Sequence, residues 1–420
     1  MNGTVKTPPM GWNSWDCYGA GVTEDIVRAN AEYMAKNLKK YGWEYIVVDI
    51  QWYEPTAKTH EYSPFTEVCT DGHSRLMPAV NRFPSAADGK GFKPLADYVH
   101  SLGLKFGIHI MRGIPRQAVH NNEPIIGTDR TARQVAKTHS ICRWNTDMYG
   151  VDPEKEGAKA YYDSIFALYA EWGVDFIKCD DICRELPHEE TELVMLSESL
   201  RGCGRDMVLS LSPGPALLEK AELYKQVSNM WRITDDFWDK WELLYNMFER
   251  CEKWAIHNGA GHWADADMLP VGAIRQDYGA ENRTNFTPDE EKTMMTLWSI
   301  FRSPLMIGCE LTKLDEGTLS RLTNAEILGM CRNSRHAHQV WRRKTDSGEL
   351  VLWTAVSAEG GQYAAVFNLG DEACSVSVPL TDIEIYAPVK SRELWTGEEA
   401  ETDTITAELP AHGAAAFLLK

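Results

Sequence analysis

The chain has 420 residues, 44% hydrophobic and 25% charged, the make-up of a globular protein with room for one domain of roughly 300 residues and a smaller one. Its 61 acidic and 43 basic side chains leave a net charge of −18, which excludes nucleic acid and anionic membrane as partners. No run approaches the ~18 apolar residues of a spanning helix, and residues 1–10 lack the apolar stretch of a secretory signal, so a cytoplasmic location is expected.

Residues 10–15 (Met-Gly-Trp-Asn-Ser-Trp) read as a short first strand, and Thr23 then caps a helix through Leu38. Residues 45–49 form an apolar strand ending in an acid. The same grammar recurs as a helix at 95–102 leads into a strand at 104–110, and a helix at 158–172 into one starting at Val174. Further strands are expected at 207–211, 227–232, 262–264 and 304–307, with the longest helices at 238–257 and 289–302. Eight near-continuous apolar strands, each followed by a helix, predict a closed parallel (β/α)8 TIM barrel over residues 1–333. No Gly-x-Gly-x-x-Gly follows the first strand, which argues against dinucleotide binding. From 334 to 420, short alternating strands at 340–342, 350–355, 363–368, 374–378 and 415–419 predict an all-β antiparallel sandwich. Two segments, 53–85 and 112–152, are long for barrel loops, and both follow strands. They are expected over the C-terminal mouth, as lids or as arms of a homo-oligomer.

The strand at 174–183 ends in Lys178, Asp180 and Asp181. Buried charges are costly unless paired or used, and the C-terminal ends of barrel strands are where loops meet substrate. Lys178 and Asp180, two residues apart, share a face. That arrangement suits a nucleophilic carboxylate kept ionised by an ammonium, with a solvated strand end as the alternative. Other strand ends collect Trp15 and Asp16, Asp49, His109, Ser212, Arg232 with Asp235 and Asp236, and Asp265 with Asp267. Two carboxylates about 5 Å apart across a barrel mouth are what retaining glycoside hydrolysis requires. A metal-dependent hydrolase using His109, His262 and the acids is a weaker option, because the His spacings match no ligand motif. No metal or organic cofactor is expected. The ten cysteines are scattered, and Cys179 with Cys183 lacks a second pair at zinc-ligand spacing, so free thiols are expected.

Taken in order and spacing, six motifs carry a resemblance: Pro9-Met10-Gly11-Trp12-Asn13-Ser14-Trp15, Asp49 with Trp52, Gly103-Leu104-Lys105-Phe106-Gly107-Ile108, Lys178-Cys179-Asp180, Trp231-Arg232 with Asp236, and Asp265-Ala266-Asp267-Met268-Leu269. Over nearly its whole length the chain resembles glycoside hydrolase family 27, the α-galactosidase family. The resemblance implies a retaining exo-glycosidase in which Asp180 forms a covalent glycosyl-enzyme and Asp236, four residues after Arg232, is the acid/base. It further implies Arg232 on the 2-hydroxyl, Lys178 on the 3- and 4-hydroxyls, Asp49 at the far edge of the sugar and Trp15 as an apolar wall. Asp265 and Asp267 are expected to brace the barrel mouth.

Three departures bear on the substrate. Where galactosidases of this family carry paired acids, this chain has Asp49-Ile50-Gln51-Trp52, so Ile50 removes a charged hydroxyl acceptor. L-Arabinopyranose is galactose without its hydroxymethyl group. Terminal β-L-arabinopyranosides are therefore the expected substrate, with α-D-galactosides the alternative if Ile50 is packing. Ser212 stands where family galactosidases place an acid and N-acetylgalactosaminidases a Ser, which gives a third reading. His109 replaces the family's usual Tyr, and Ile182 occupies the position of a family disulfide cysteine. From another class, a non-catalytic carbohydrate-binding protein on a decayed barrel is opposed by the intact carboxylate pair.

Overall fold

Eight short strands pair in parallel: β1 (Met10–Asn13), β2 (Tyr45–Val48), β3 (Lys105–Met111), β4 (Phe176–Asp180), β5 (Val208–Leu211), β6 (Met230–Arg232), β7 (Trp263–Asp265) and β8 (Leu305–Ile307). Strands β1 to β7 lie in chain order, and β8 returns to β1 with Leu305 opposite Met10. The circuit is closed just past β7, where Leu269 bridges Ile307 and its N–H reaches the Met306 carbonyl at 2.8 Å. These strands belong to a computed structural model that describes residues 5–184, 186–276, 282–345 and 348–420. Residues 1–4, part of the stretch without a secretory-signal pattern, lie outside it.

Alternation along the strands sorts their side chains into two sets. Ile46, Val48, Phe106, Ile108, Ile177, Cys179, Leu209, Leu211 and Trp231 are buried in the core shared with the surrounding helices. The other set starts as an apolar floor inside the barrel: Tyr45, Val47, Phe176, Val208, Met230, Trp263 and Met306, with Val5 and Met268. One or two steps further along the same faces stand Asp49, Lys178, Asp180, Ser212, Arg232 and Asp265. Burial on both faces is why these strands are apolar almost throughout, and why polar residues enter only at their C-terminal ends. Gly107 is bare for a steric reason, since a Cβ there would come within 2.9 Å of the Phe176 Cβ.

The helices expected at 158–172 and 289–302 form as Ala158–Trp172 and Pro288–Phe301, the second started by a reciprocal Thr287–Glu290 capping box. Thr23 occupies the cap position of Glu24–Asn37 with extended backbone, although its side chain makes no cap hydrogen bond. Val227, expected to open a strand, instead ends the helix Ala221–Val227, whose buried Ala221, Tyr224 and Val227 recur at helical spacing. The 112–152 segment carries its own antiparallel sheet (Ile114–Pro115, Met148–Val151, Ala136–Ile141) and two short helices. Gln51 and Tyr53 anchor it to the first arm through Asp147 Oδ2, at 2.7 and 2.8 Å.

Beyond the barrel, a six-stranded antiparallel sheet packs on the ribbon Cys374–Pro379/Thr404–Leu409 around Leu352, Val366, Val376, Ile405 and Phe417. Three strands, Val389–Glu393 and Glu399–Thr402 of the sheet and Thr404–Leu409 of the ribbon, escaped the sequence pattern. Glu399–Thr402 is largely exposed and so carries no hydrophobic period. The TIM barrel and the antiparallel sandwich expected from the pattern are both present. They share a core in which fully buried Phe367 meets Phe248 edge-on, with ring centroids 4.9 Å apart. Phe367→Ala is expected to lower stability by about 3–5 kcal/mol, measured by denaturant unfolding. Among the described residues no helix is long and apolar enough to cross a membrane.

Candidate active site

The polar strand ends converge on a cavity of about 380 Å³ lined by Trp15, Asp49, His60, Tyr62, Trp144, Lys178, Asp180, Arg184, Pro213, Asp235, Asp236 and Trp238. A larger, more open groove of about 880 Å³ lies over the second arm, and none of the strand-end acids lines it. Chemistry therefore places the site in the smaller cavity.

Asp49 is 1% exposed and both of its oxygens accept hydrogen bonds. Oδ2 accepts from Lys178 Nζ at 2.8 Å and from Asn13 Nδ2 at 2.7 Å, while Oδ1 accepts from the Ile50 N–H at 2.8 Å. Burial pushes the Asp49 carboxyl up, but the Lys178 ammonium pulls it down by more, and it sits well below the usual carboxylate range. The same pairing, with Asp180 adding to it, overcomes burial and holds the Lys178 ammonium above its ordinary value. Both groups are charged, side by side, at the cavity floor.

Asp180 presents its carboxylate to the cavity from the last position of β4. Oδ2 contacts His109 Nε2 at 2.7 Å, and Oδ1 accepts from the Ser212 hydroxyl. Its backbone is held as firmly. The Arg112 N–H donates to the Asp180 carbonyl at 3.0 Å, and the Arg112 guanidinium takes the Asp181 carbonyl at 2.8 Å and the Asp181 carboxylate at 2.7 Å. Asp181 itself lies at φ +63°, a left-handed turn that ends the strand abruptly.

Arg232 is the hinge of the opposite wall. It donates to Asp236 Oδ1 at 2.9 Å and reaches Asp267 Oδ1 at 2.8 Å, while Asp267 Oδ2 accepts from the Phe237 N–H at 2.7 Å. Asp267 thus braces both the arginine and the backbone that follows Asp236. Burial raises the Asp236 carboxyl, but Arg232 lowers it by more, leaving it below its ordinary value. Behind them, burial and then the neighbouring Asp267 push Asp265 up to about 7. Asp16 is raised well above the carboxylate range by burial and then by Asp267. Asp235 turns away to Arg184, at 2.9 Å.

Of the residues expected at the site, Trp15, Asp49, Lys178, Asp180 and Asp236 line the cavity. Ile50, His109, Ser212 and Arg232 stand behind it, each no more than 3% exposed. Ile50 keeps the alternation of Ile46 and Val48 and packs into the apolar core. Six lining residues were not singled out from sequence, among them Arg184 just after β4. His60 and Tyr62 come from the first arm, Trp144 from the second, and Pro213 and Trp238 from loops after β5 and β6. Trp15 stacks on Tyr62 at 5.8 Å and meets His60 edge-on at 4.9 Å, extending one aromatic wall across two loops. No local pattern marks an aromatic in an irregular arm. Among the described residues, no group of three or more His, Cys, Asp or Glu is placed to hold a metal ion. All ten cysteines are free.

The sequence matches the family described as alpha galactosidase A over residues 7–154 and 153–333, and the alpha galactosidase C-terminal beta sandwich domain over 347–419. Among curated relatives, an α-galactosidase of Cyamopsis tetragonoloba is 27% identical over 100% of this chain and 87% of its own length. One of Coffea arabica is 28% identical over 100% and 95%. Among solved structures, a family 27 β-L-arabinopyranosidase of Geobacillus stearothermophilus is 58% identical, with TM-score 0.95 over 99% of this chain and 96% of its own. A variant of that enzyme has been solved with arabinose. A Bacillus halodurans protein provisionally assigned as an α-N-acetylgalactosaminidase is 51% identical, with TM-score 0.89 over 99% of both chains. On the full-length match and the shared architecture, the chain belongs to glycoside hydrolase family 27, the α-galactosidase family.

Proposed function

We propose that this protein is a retaining exo-glycosidase that releases terminal β-L-arabinopyranosyl groups, with Asp180 as nucleophile and Asp236 as acid/base. The observation that carries the reading is that both carboxylates line one small cavity, each set by different partners. Asp180 is held through both oxygens by Ser212 and His109, whereas the Asp236 side chain is 54% exposed and anchored only at one oxygen by Arg232. A nucleophile must be fixed, and an acid/base must exchange protons with leaving group and water.

In the first step Asp180 attacks the anomeric carbon while Asp236 protonates the departing oxygen. In the second, Asp236 takes a proton from the water that attacks the same carbon, so configuration is retained. Asp236 starts below its ordinary value because Arg232 donates to it. A sugar 2-hydroxyl that draws Arg232 onto itself removes that donor and replaces solvent beside the carboxyl. Both changes raise Asp236 toward the protonated form the first step needs. The Asp49–Lys178 pair offers charged partners to ring hydroxyls, and the Trp15–Tyr62 wall covers an apolar sugar face.

Two considerations support the arabinopyranoside. Position 50 carries an apolar side chain packed into the core, and a backbone N–H that donates to Asp49, instead of a second acid, so this position offers no charged acceptor to a hydroxymethyl group. The 58%-identical structural relative is a β-L-arabinopyranosidase. α-D-Galactosides remain the second reading, favoured by the curated relatives. The N-acetylgalactosaminide reading is disfavoured because the Ser212 hydroxyl is 1% exposed and engaged by Asp180. The free thiols support work in a reducing cytoplasm.

Comparison of kcat/KM on p-nitrophenyl β-L-arabinopyranoside and p-nitrophenyl α-D-galactopyranoside is the test. A preference of about tenfold or more for the arabinoside is expected. A preference for the galactoside overturns the sugar assignment and leaves the mechanism standing. Ile50→Asp is expected to shift the ratio toward the galactoside by about tenfold or more. An unchanged ratio would mean that position 50 does not select the sugar.

A further inference from the structure

His109 sits on β3 opposite Lys178 of β4, fully buried, with Nε2 at 2.7 Å from Asp180 Oδ2. Its other ring nitrogen, Nδ1, is buried and has no hydrogen-bond partner among the described residues. A proton on Nδ1 would be an N–H cut off from water with no acceptor, which is costly. The favoured form carries its one ring proton on Nε2 and donates it to Asp180. The backbone that carries the ring is fixed. It lies in a central strand paired on both sides, and the Trp52 indole N–H donates to the His109 carbonyl at 2.7 Å. The charged groups facing it are Asp180 and Lys178 from β4 and Asp49 beyond β2. The other oxygen, Oδ1, is held by the Ser212 hydroxyl, a single rotor that can turn aside. One oxygen of Asp180 therefore has a fixed partner and the other a releasable one.

We infer that His109 is a positioning residue that retains Oδ2 of Asp180 as the spectator oxygen, so that Oδ1 makes the bond to the anomeric carbon. The inference rests on the reading of Asp180 as nucleophile. In glycosylation the Oδ1–C1 bond forms, the bond from C1 to the aglycone oxygen breaks, and Asp236 gives that oxygen its proton. Oδ2 becomes the ester carbonyl and continues to accept from His109 Nε2–H. In deglycosylation a water oxygen bonds to C1, its proton passes to Asp236, and the Oδ1–C1 pair returns to the carboxylate. The donor on Oδ2 serves every state along this path and keeps the carboxylate from rotating between steps.

Two substitutions and one trapped complex test this. His109→Met removes the donor and keeps an apolar side chain, whereas His109→Gln restores an N–H at similar reach. With the p-nitrophenyl glycoside that the wild type cleaves faster, His109→Met is expected to lower kcat by about 100-fold with KM nearly unchanged. The acidic limb of kcat/KM should move to higher pH, because the hydrogen bond to the charged carboxylate is gone. His109→Gln is expected to recover most of the rate and return the limb. A loss of kcat with an unmoved limb, or no rescue by Gln, overturns the inference in favour of simple packing. A crystal structure of the wild type trapped with a fluorinated glycosyl fluoride should show C1 on Oδ1 and His109 still on Oδ2; C1 on Oδ2 overturns it, whether or not the Met variant folds. Azide added to Asp180→Gly separates the two readings. Absence of a glycosyl azide product removes Asp180 as nucleophile, while its formation beside unaffected His109 variants sinks this inference alone.

Discussion

Asp180→Asn is expected to reduce kcat by on the order of 10⁴-fold or more while leaving the fold in place. The amide matches the carboxylate in shape, so the Ser212 contact can persist through the amide oxygen, and the Arg112 clamp on the neighbouring backbone is untouched. What is lost is the negative charge that, on the proposed mechanism, bonds to the anomeric carbon, and no other carboxylate on the cavity wall is held through both oxygens by Ser212 and His109. Asp49, the nearest substitute in burial, is committed to Lys178, Asn13 and the Ile50 N–H. The measurement is steady-state turnover alongside circular-dichroism melting. A variant that melts like the wild type and retains substantial turnover would remove Asp180 from its role.

Asp236→Ala is expected to split by leaving group. Aglycones that need protonation should be released about 10²–10⁴-fold more slowly, whereas a dinitrophenyl glycoside, which leaves unaided, should still glycosylate Asp180 at close to the normal rate. The second step then lacks its base, so a burst followed by a slow phase is expected, with azide accelerating the slow phase and giving a glycosyl azide of retained configuration. Asp235→Ala is the internal control. Asp235 lines the same cavity, yet it pairs with Arg184 at 2.9 Å, whereas Arg232, gripped from behind by Asp267, turns to Asp236. A leaving-group-dependent loss in the Asp235 variant instead would exchange the two assignments.

Arg232 also explains why a cluster of acids is tolerated so close to the chemistry. Asp236, Asp265 and Asp267 surround one guanidinium buried at 3% exposure, and together they hold it above its ordinary value against the pull of burial. Asp265, pushed up to about 7, takes up a proton near neutrality in place of further charge. The cluster acts as a brace for Arg232. Its polar backing keeps the Arg232 fork aimed at Asp236.

Some of this architecture was legible from residue order alone, because it depends on local periodicity. A strand buried on both faces must be apolar almost throughout, so the runs before Asp49 and Lys178 announced barrel strands. Two-residue alternation then required Lys178 and Asp180 to share a face with Phe176 of the barrel floor. Helices such as Ala158–Trp172 carried their own 3.6-residue signal. Strands without such a signal escaped. Glu399–Thr402 is held by pairing to Val389–Glu393 and not by burial, and Val227 followed helical spacing where an apolar run had pointed to a strand.

By itself, then, the sequence determined the alternation of strands and helices, the change to antiparallel strands in the C-terminal part, and the placing of Asp49, Lys178, Asp180 and Arg232 at strand ends. Each follows from short-range geometry. Only the tertiary structure decided which of these groups meet and in what role. His109 and Asp180 are 71 positions apart and Ser212 and Asp180 are 32 apart, and their hydrogen bonds exist because neighbouring strands hold them in register. Ile50 turned into the core and left the cavity wall to Trp15, His60, Tyr62 and Trp144, which irregular loops bring together without any periodic signal. Loop conformation depends on what a loop packs against, and that is settled only when the barrel beneath it has formed.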